Sequence, residues 1–165
     1  MNSALEKLAS VIGLNNAENE RLRLEFGCKC AARIRHLLEE QDVIACLKSL
    51  EKYLAGEIHE GEFRHDQQRA PELANQHRGS KSIDGCGHAA VSASYAVANA
   101  INGKALQAAS YSAYATVYAD GGYGAVAQPE AFGPEFRWQV ATLRPLAAEK
   151  GLGVRGISKP SSSVA

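Results

Sequence analysis

This chain is poor in sulfur and aromatic residues and carries no excess of charge of either sign. Its 165 residues include one Met, one Trp and four Cys, and aromatic residues make up 7% of the chain. Eighteen basic residues balance eighteen acidic residues, so the formal net charge is zero. Because no segment concentrates Lys and Arg into a stripe that could neutralise phosphates, the sequence predicts no nucleic-acid partner.

Long apolar runs are also missing. Every uninterrupted apolar run falls far short of the ~20 residues that span a bilayer, and Glu6 and Lys7 stand where a signal peptide would have its apolar region. We therefore expect a cytoplasmic protein with no membrane partner. Without export signals, the four cysteines are expected to be buried thiols rather than a disulfide framework.

No stretch alternates apolar and polar residues with β-branched enrichment, so the sequence predicts no strand. The predicted fold class is all-α, a compact bundle or array of five to six helices. A chain of this length fits one domain. We assign residues 1–150 to that domain and expect residues 151–165, rich in Gly, Ser, Lys and Pro, to form a disordered tail.

Helical periodicity is clearest in the first third of the chain. Ser3 and Glu6 have the spacing of a capping box, which predicts a short helix that Gly13 ends. Asn16 is the predicted cap of a second helix. The apolar face of that helix would comprise Leu22, Phe26, Cys30, Ile34 and Leu37. A third helix would present Val43, Leu47, Leu50 and Leu54 and end at Gly56.

Proline interrupts two further segments. Residues 57–81 are crowded with charge and predict a polar helix that breaks before Pro71. Pro134 fits the first turn of the last helix, which Pro145 would bend or divide. The predicted buried face of that last helix consists of Phe136, Val140, Leu143 and Ala147.

The segment 85–119 contains twelve alanines, the most distinctive composition in the chain. Ala and Ser on a packing face let two helix backbones approach closer than the usual ~8–10 Å, so the segment predicts two tightly packed helices beginning at residue 84 or 85. Tyr111, Tyr114 and Tyr118 share one face of the second of these helices. Such a stripe is more often core or subunit interface than a ligand-stacking surface, and the interface alternative predicts a homodimer.

Glu62 and His65 are the best candidates for metal chemistry. A Glu and a His three residues apart form half of the carboxylate-bridged di-iron motif. No other histidine in the chain has a glutamate three residues before it. A solvated helix face is therefore the preferred interpretation, and a small ferritin-like metalloprotein is the alternative. Cys28-Lys-Cys30 and Cys86-Gly-His88 have spacings that do not suit structural zinc, and we predict no cofactor.

Three runs of sequence resemble the immunity proteins of the Imm5 family. They are the run from Cys30 to Glu39 with its Cys-Ala-x-Arg start, the run from Cys46 to Glu57 ending in Gly-Glu, and the alanine-rich run from His88 to Ala98 with its successor. The similarity covers roughly residues 26 to 119. In place of an Asp-x-Arg-Pro segment after Glu39, this chain has Glu40-Gln-Asp-Val-Ile44.

The resemblance implies an all-helical, non-catalytic protein that binds and neutralises a cognate toxin. The partner would be a protein, and the polar segment 57–78 would supply the surface that distinguishes one toxin from another. The expected contact residues on that segment are Glu62, His65, Asp66 and Arg69.

Overall fold

The computed structural model describes residues 2–77 and 86–153, with the side chain of Cys86 excluded. Seven α-helices account for most of this part of the chain, and no strand occurs in it. They are α1 (Ser3–Ile12), α2 (Glu20–Arg33), α3 (Gln41–Leu54), α4 (Glu60–Gln76), α5 (Cys86–Ile101), α6 (Ala105–Gly121) and α7 (Gly133–Glu149). The all-α prediction is confirmed, whereas the expected count of five to six helices was too low.

Helix α5 lies at the centre of the fold and packs against α2, α3, α4 and α6. Its alanines are buried on several sides, including Ala93, Ala96 and Ala100, each fully shielded from solvent. A Cβ built on Gly27 of α2 would lie 3.1 Å from the Ala100 Cα. Helix α2 therefore approaches α5 closely at Gly27, and α5 also packs extensively against α6, the other helix of the alanine-rich segment.

The core has a main part and two smaller ones. The main cluster joins α2 through α6, a second joins α1, α2, α6 and α7, and a third lies where α6 meets the segment before α7. The buried residues of α2 include both the predicted face and the opposite one, since Leu24, Cys28 and Ala31 are as enclosed as Leu22 and Phe26. An amphipathic pattern indicates one buried face, but α2 packs against α3, α5, α6 and α7 and is therefore buried on more than one side.

Two predicted helix starts were misplaced. Asn2, not Ser3, caps α1, because its side-chain Oδ1 accepts from the Leu5 backbone N–H at 3.2 Å. Asn16 precedes a 3₁₀ turn (Ala17–Asn19) and makes no side-chain capping bond, so α2 begins only at Glu20. Leu37 lies in a separate 3₁₀ turn beyond the end of α2.

The predicted ends of α1 and α3 are confirmed. Gly13 and Gly56 adopt the expected left-handed conformation there, with φ of 66° and 75°.

Neither internal proline ends its helix. Helix α4 runs through Pro71, which corrects the predicted break, and α7 continues undivided past Pro145. The buried positions of α7 also differ from the prediction, being Glu135, Gln139, Leu143 and Ala147. Phe136 and Val140 are only partly buried, because polar partners on α1, α2 and α6 draw Glu135 and Gln139 inward.

Some predictions fall outside the described residues. These are the start of the alanine-rich helix at residue 84 or 85, the end of the polar segment at residues 78–81, the Cys86 thiol, and all of the predicted tail beyond residue 153. Within the described part, no helix is long and apolar enough to cross a membrane.

Candidate binding surface

The four predicted contact residues share α4 but differ in surroundings. Asp66 is half-buried, and its Oδ1 lies 3.8 Å from Arg69 Nη1 and 3.8 Å from His65 Nδ1. Arg69 Nη2 also lies 4.0 Å from Asp42 Oδ1 on α3. Asp66 therefore pairs with its neighbours on α4, and Arg69 also faces Asp42 of α3, while Glu62 and His65 stand exposed.

The Glu62 and His65 pair gains no further ligands in the described part of the chain. Across residues 2–77 and 86–153, no group of three or more His, Cys, Asp or Glu side chains is arranged to hold a metal ion. Both residues project from an exposed face of α4.

A more distinctive surface lies on α6, where the tyrosine stripe is exposed rather than buried in the core. Tyr111 and Tyr114 are 37% and 39% exposed, and Tyr123, just beyond the helix, is 67% exposed. Val11 is the other large apolar residue that is exposed in the described part. We call Tyr111, Tyr114, Tyr118 and Tyr123 the tyrosine face.

The rings of the tyrosine face contact one another and their neighbours. Tyr118 stacks on His88 of α5 with ring centroids 5.2 Å apart, and His88 lies 5.0 Å from Tyr123. Burial, together with the nearby Tyr123 and Tyr114, raises the pKa of the Tyr118 phenol. The contacts with His88 and Phe132 restrict the rings of Tyr118 and Tyr114, so less side-chain freedom remains to be lost there when a partner binds.

A segment between α6 and α7 completes this surface. The 3₁₀ turns Tyr123–Ala127 and Pro129–Phe132 fold back onto α6, and the Phe132 ring meets Tyr114 edge-on at 5.0 Å. Gly122 makes the reversal possible through a φ of 72°. The glycine-rich run at 120–124 ends α6, and the sequence did not predict the contribution of Phe132 and His88 to this surface.

Two adjoining cavities flank the tyrosine face. One of about 230 Å³ is lined by Tyr114, Phe132, Phe136 and Ser110, with Val126 and Pro129 closing it. The other, of about 330 Å³, lies between α1, α6 and α7 and shares Ser110 and Phe136 with the first. The cavities together form a groove along α6, which we call the α6 groove.

A chain of side-chain amides holds the wall of this groove. Asn2 Nδ2 donates to Gln139 Oε1 at 2.9 Å and to the Phe136 carbonyl at 3.1 Å. Gln139 Nε2 in turn donates to the Ala109 carbonyl at 2.8 Å. Because this chain ties α1, α7 and α6 together in a buried setting, the groove is formed before anything binds.

The described thiols are poorly suited to nucleophilic chemistry. Cys28, Cys30 and Cys46 are free and buried, and burial raises the pKa of each, that of Cys46 to about 11. A protonated thiol is a weak nucleophile and a weak metal ligand. These cysteines therefore act as small core residues, as predicted for Cys30.

No family model, curated protein or solved structure matches this chain.

Proposed function

We propose that this protein is a non-catalytic immunity protein that binds and neutralises a cognate toxin through the tyrosine face. The observation that carries the proposal is the concentration of exposed tyrosines on and beside α6, where Tyr114 and Tyr123 are solvent-accessible but held by neighbouring rings. The choice of a toxin as the partner rests on the resemblance to Imm5-like immunity proteins.

The physical argument concerns the energetics of protein interfaces. Tyrosine is enriched among the few residues that contribute most of the binding free energy, because a large rigid ring is buried at little entropic cost. A standard interface needs about 800 Å² from each partner. The tyrosine face and the adjacent α6 groove provide such a centre, and the charged face of α4 would lie outside it.

A rigid scaffold supports the same interpretation. Helices α5 and α6 pack closely, and small residues such as Ala93 and Ala108 are fully buried in the cluster that these helices share. Interiors packed this densely resist deformation. The tyrosine face is therefore presented in one arrangement, which suits a protein that acts by occupying a site on its partner.

The test is protection from the toxin encoded beside this protein's gene. Cells producing that toxin should survive when the wild-type protein is co-expressed, and purified protein should retain the toxin in a pull-down. The Tyr114→Ala/Tyr123→Ala double variant should lose both properties. Glu149→Ala, which removes an exposed side chain from the last turn of α7, is the matched control and should retain them. Absence of protection and binding by the wild type would overturn the proposed function.

Self-association through the same tyrosine face is the competing function, because exposed aromatic residues on one helix also suit a twofold interface. Sedimentation at a series of concentrations separates the two. A monomer throughout the series excludes the homodimer, whereas a dimer that the double tyrosine variant dissociates would favour it over the toxin complex.

A further inference from the structure

We propose that the α6 groove receives a segment of the partner that carries a large apolar side chain close to a Lys or Arg. This inference rests on the proposed function and specifies the chemistry of the partner. The apolar side chain would enter the smaller cavity, and the cation would lie in the larger cavity beside Glu6.

The smaller cavity suits a single side chain. Its volume of about 230 Å³ lies below the ~300 Å³ at which small-molecule sites begin. Tyr114, Phe132 and Phe136 present ring surfaces to it, with ring centroids 5.0 Å and 5.5 Å apart along the series. A buried anchor of this kind is how a few residues contribute most of the affinity of an interface.

The negative charge of Glu6 determines which second group the partner segment should carry. Glu6 lines the larger cavity, and no Lys or Arg is among the described residues around it. The amides of Asn2 and Gln139 on the same wall are already bonded to each other and to the backbone. Glu6 is therefore the one charged group that this wall offers, and a cation on the partner complements it.

Because the two cavities meet, a single partner segment can occupy both of them. Ser110 and Phe136 line both of them, so an apolar group in one lies within a few ångströms of a group in the other. A partner segment that satisfies only one cavity would leave the other filled with water. The combination of an apolar anchor and a neighbouring cation is thus more specific than either feature alone.

Two matched peptides test the proposal on the purified full-length protein. They are acetyl-Phe-Gly-Arg-amide and acetyl-Phe-Gly-Glu-amide, titrated to millimolar concentration and followed by NMR. The Arg peptide should shift the signals of Ser110, Phe136 and Glu6, with an affinity at least about tenfold above that of the Glu peptide. Equal affinities, or no shifts with the Arg peptide, would overturn the proposal.

Three variants locate the binding. Glu6→Gln should abolish the preference for Arg, and Ser110→Trp should block both peptides by filling the junction of the cavities from an exposed position. Glu149→Gln, which alters an exposed glutamate in the last turn of α7, should leave the preference unchanged. If Ser110→Trp fails to fold, Glu6→Gln still decides the question, since an Arg preference that survives it excludes the assigned role of Glu6.

The protection assay distinguishes failure of this inference from failure of the proposed function. Protection that persists in both Glu6→Gln and Ser110→Trp would remove the groove from the toxin interface and leave the tyrosine face in place. Loss of protection in both variants, with Glu149→Gln unaffected, is the expected result.

Discussion

Asn102 supplies the hydrogen bond that Pro71 withholds from its own helix. A residue at position 71 would normally donate its backbone N–H to the Gln67 carbonyl, and proline has no N–H to give. The Asn102 Nδ2 donates to that carbonyl at 3.0 Å from the end of α5. Gln67 Nε2 returns a bond to the Ile101 carbonyl at 2.9 Å, so the helix is unbroken and is also fastened to its neighbour.

Replacing Asn102 by Ala should destabilise the protein by about 1–2 kcal/mol, because the partly buried Gln67 carbonyl would lose its donor. The loss should be smaller in a Pro71→Ala background, where residue 71 regains its backbone N–H. Urea unfolding of the two single variants and the double variant measures the coupling. Equal losses in both backgrounds would contradict the compensation.

Gly27→Ala should destabilise the protein by about 1–3 kcal/mol, because the new Cβ would meet buried backbone on α5 and force the two helices apart. Alanine has the higher helix propensity by up to about 1 kcal/mol, which works against this loss. Gly61→Ala on α4 is the control, since nothing lies within 4 Å of its Cβ position. Thermal unfolding should show a lower Tm for Gly27→Ala and an unchanged or higher Tm for Gly61→Ala.

Removing Arg33 should leave the buried Glu135 carboxylate without its partner. Arg33 Nε and Nη2 donate to the two Glu135 oxygens at 2.8 Å and 2.9 Å, and the Arg33 guanidinium lies 4.3 Å from the Trp138 ring centroid. We expect Arg33→Met to cost roughly 2 kcal/mol, less than the 3–5 kcal/mol of a fully enclosed pair because Arg33 is 36% exposed.

The double variant Arg33→Met/Glu135→Leu provides the comparison for that pair. It should recover most of the stability, because no buried charge then remains. Chemical denaturation of both variants is the measurement. A double variant that is less stable than Arg33→Met would argue that the ion pair itself contributes net stability.

Alkaline pH should weaken the fold through the buried thiols. Burial raises the pKa of Cys46 from its ordinary value of 9.0 to about 11, and the pKa values of Cys28 and Cys30 move in the same direction. The unfolded chain therefore releases these protons first, so the free energy of unfolding should fall as pH rises from about 9 towards 11.

Urea midpoints across that pH range measure the effect, and Cys46→Ala should flatten the decline. In a Cys86→Ser background, the three remaining thiols should also react slowly with a disulfide reagent at pH 8 until the protein unfolds. Rapid reaction of the folded protein would show that the thiols are accessible.

Most of the helices could be predicted from local sequence patterns. The apolar spacing of Leu22, Phe26 and Cys30 identified α2, because side chains that share a buried face recur with the helical period. The alanine-rich composition of the segment 85–119 identified α5 and α6. Left-handed glycines marked the ends of α1 and α3. The errors at Pro71, Glu135 and Gln139 arose because the outcome there depends on a partner far away in sequence.

The tyrosine face could be predicted from the sequence only in part. The spacing of Tyr111, Tyr114 and Tyr118 showed that they share a face, but a spacing does not say whether that face is covered. The nearness of His88, Phe132 and Phe136 arises from the packing of three separate segments. No local sequence pattern predicts contacts between residues of separate segments, so the composition of this surface could be identified only from the tertiary structure.

The sequence by itself determined the all-α class, most of the helices and the small-residue packing of α5, because helical periodicity and close approach follow from the residues present in each segment. Tertiary structure decided that prolines could stay inside helices, that a glutamate and a glutamine could be buried, and that the tyrosines face solvent. The physical reason is common to these cases. A hydrogen-bond donor, a counter-charge or a covering helix must come from elsewhere in the chain, and only folding brings it there.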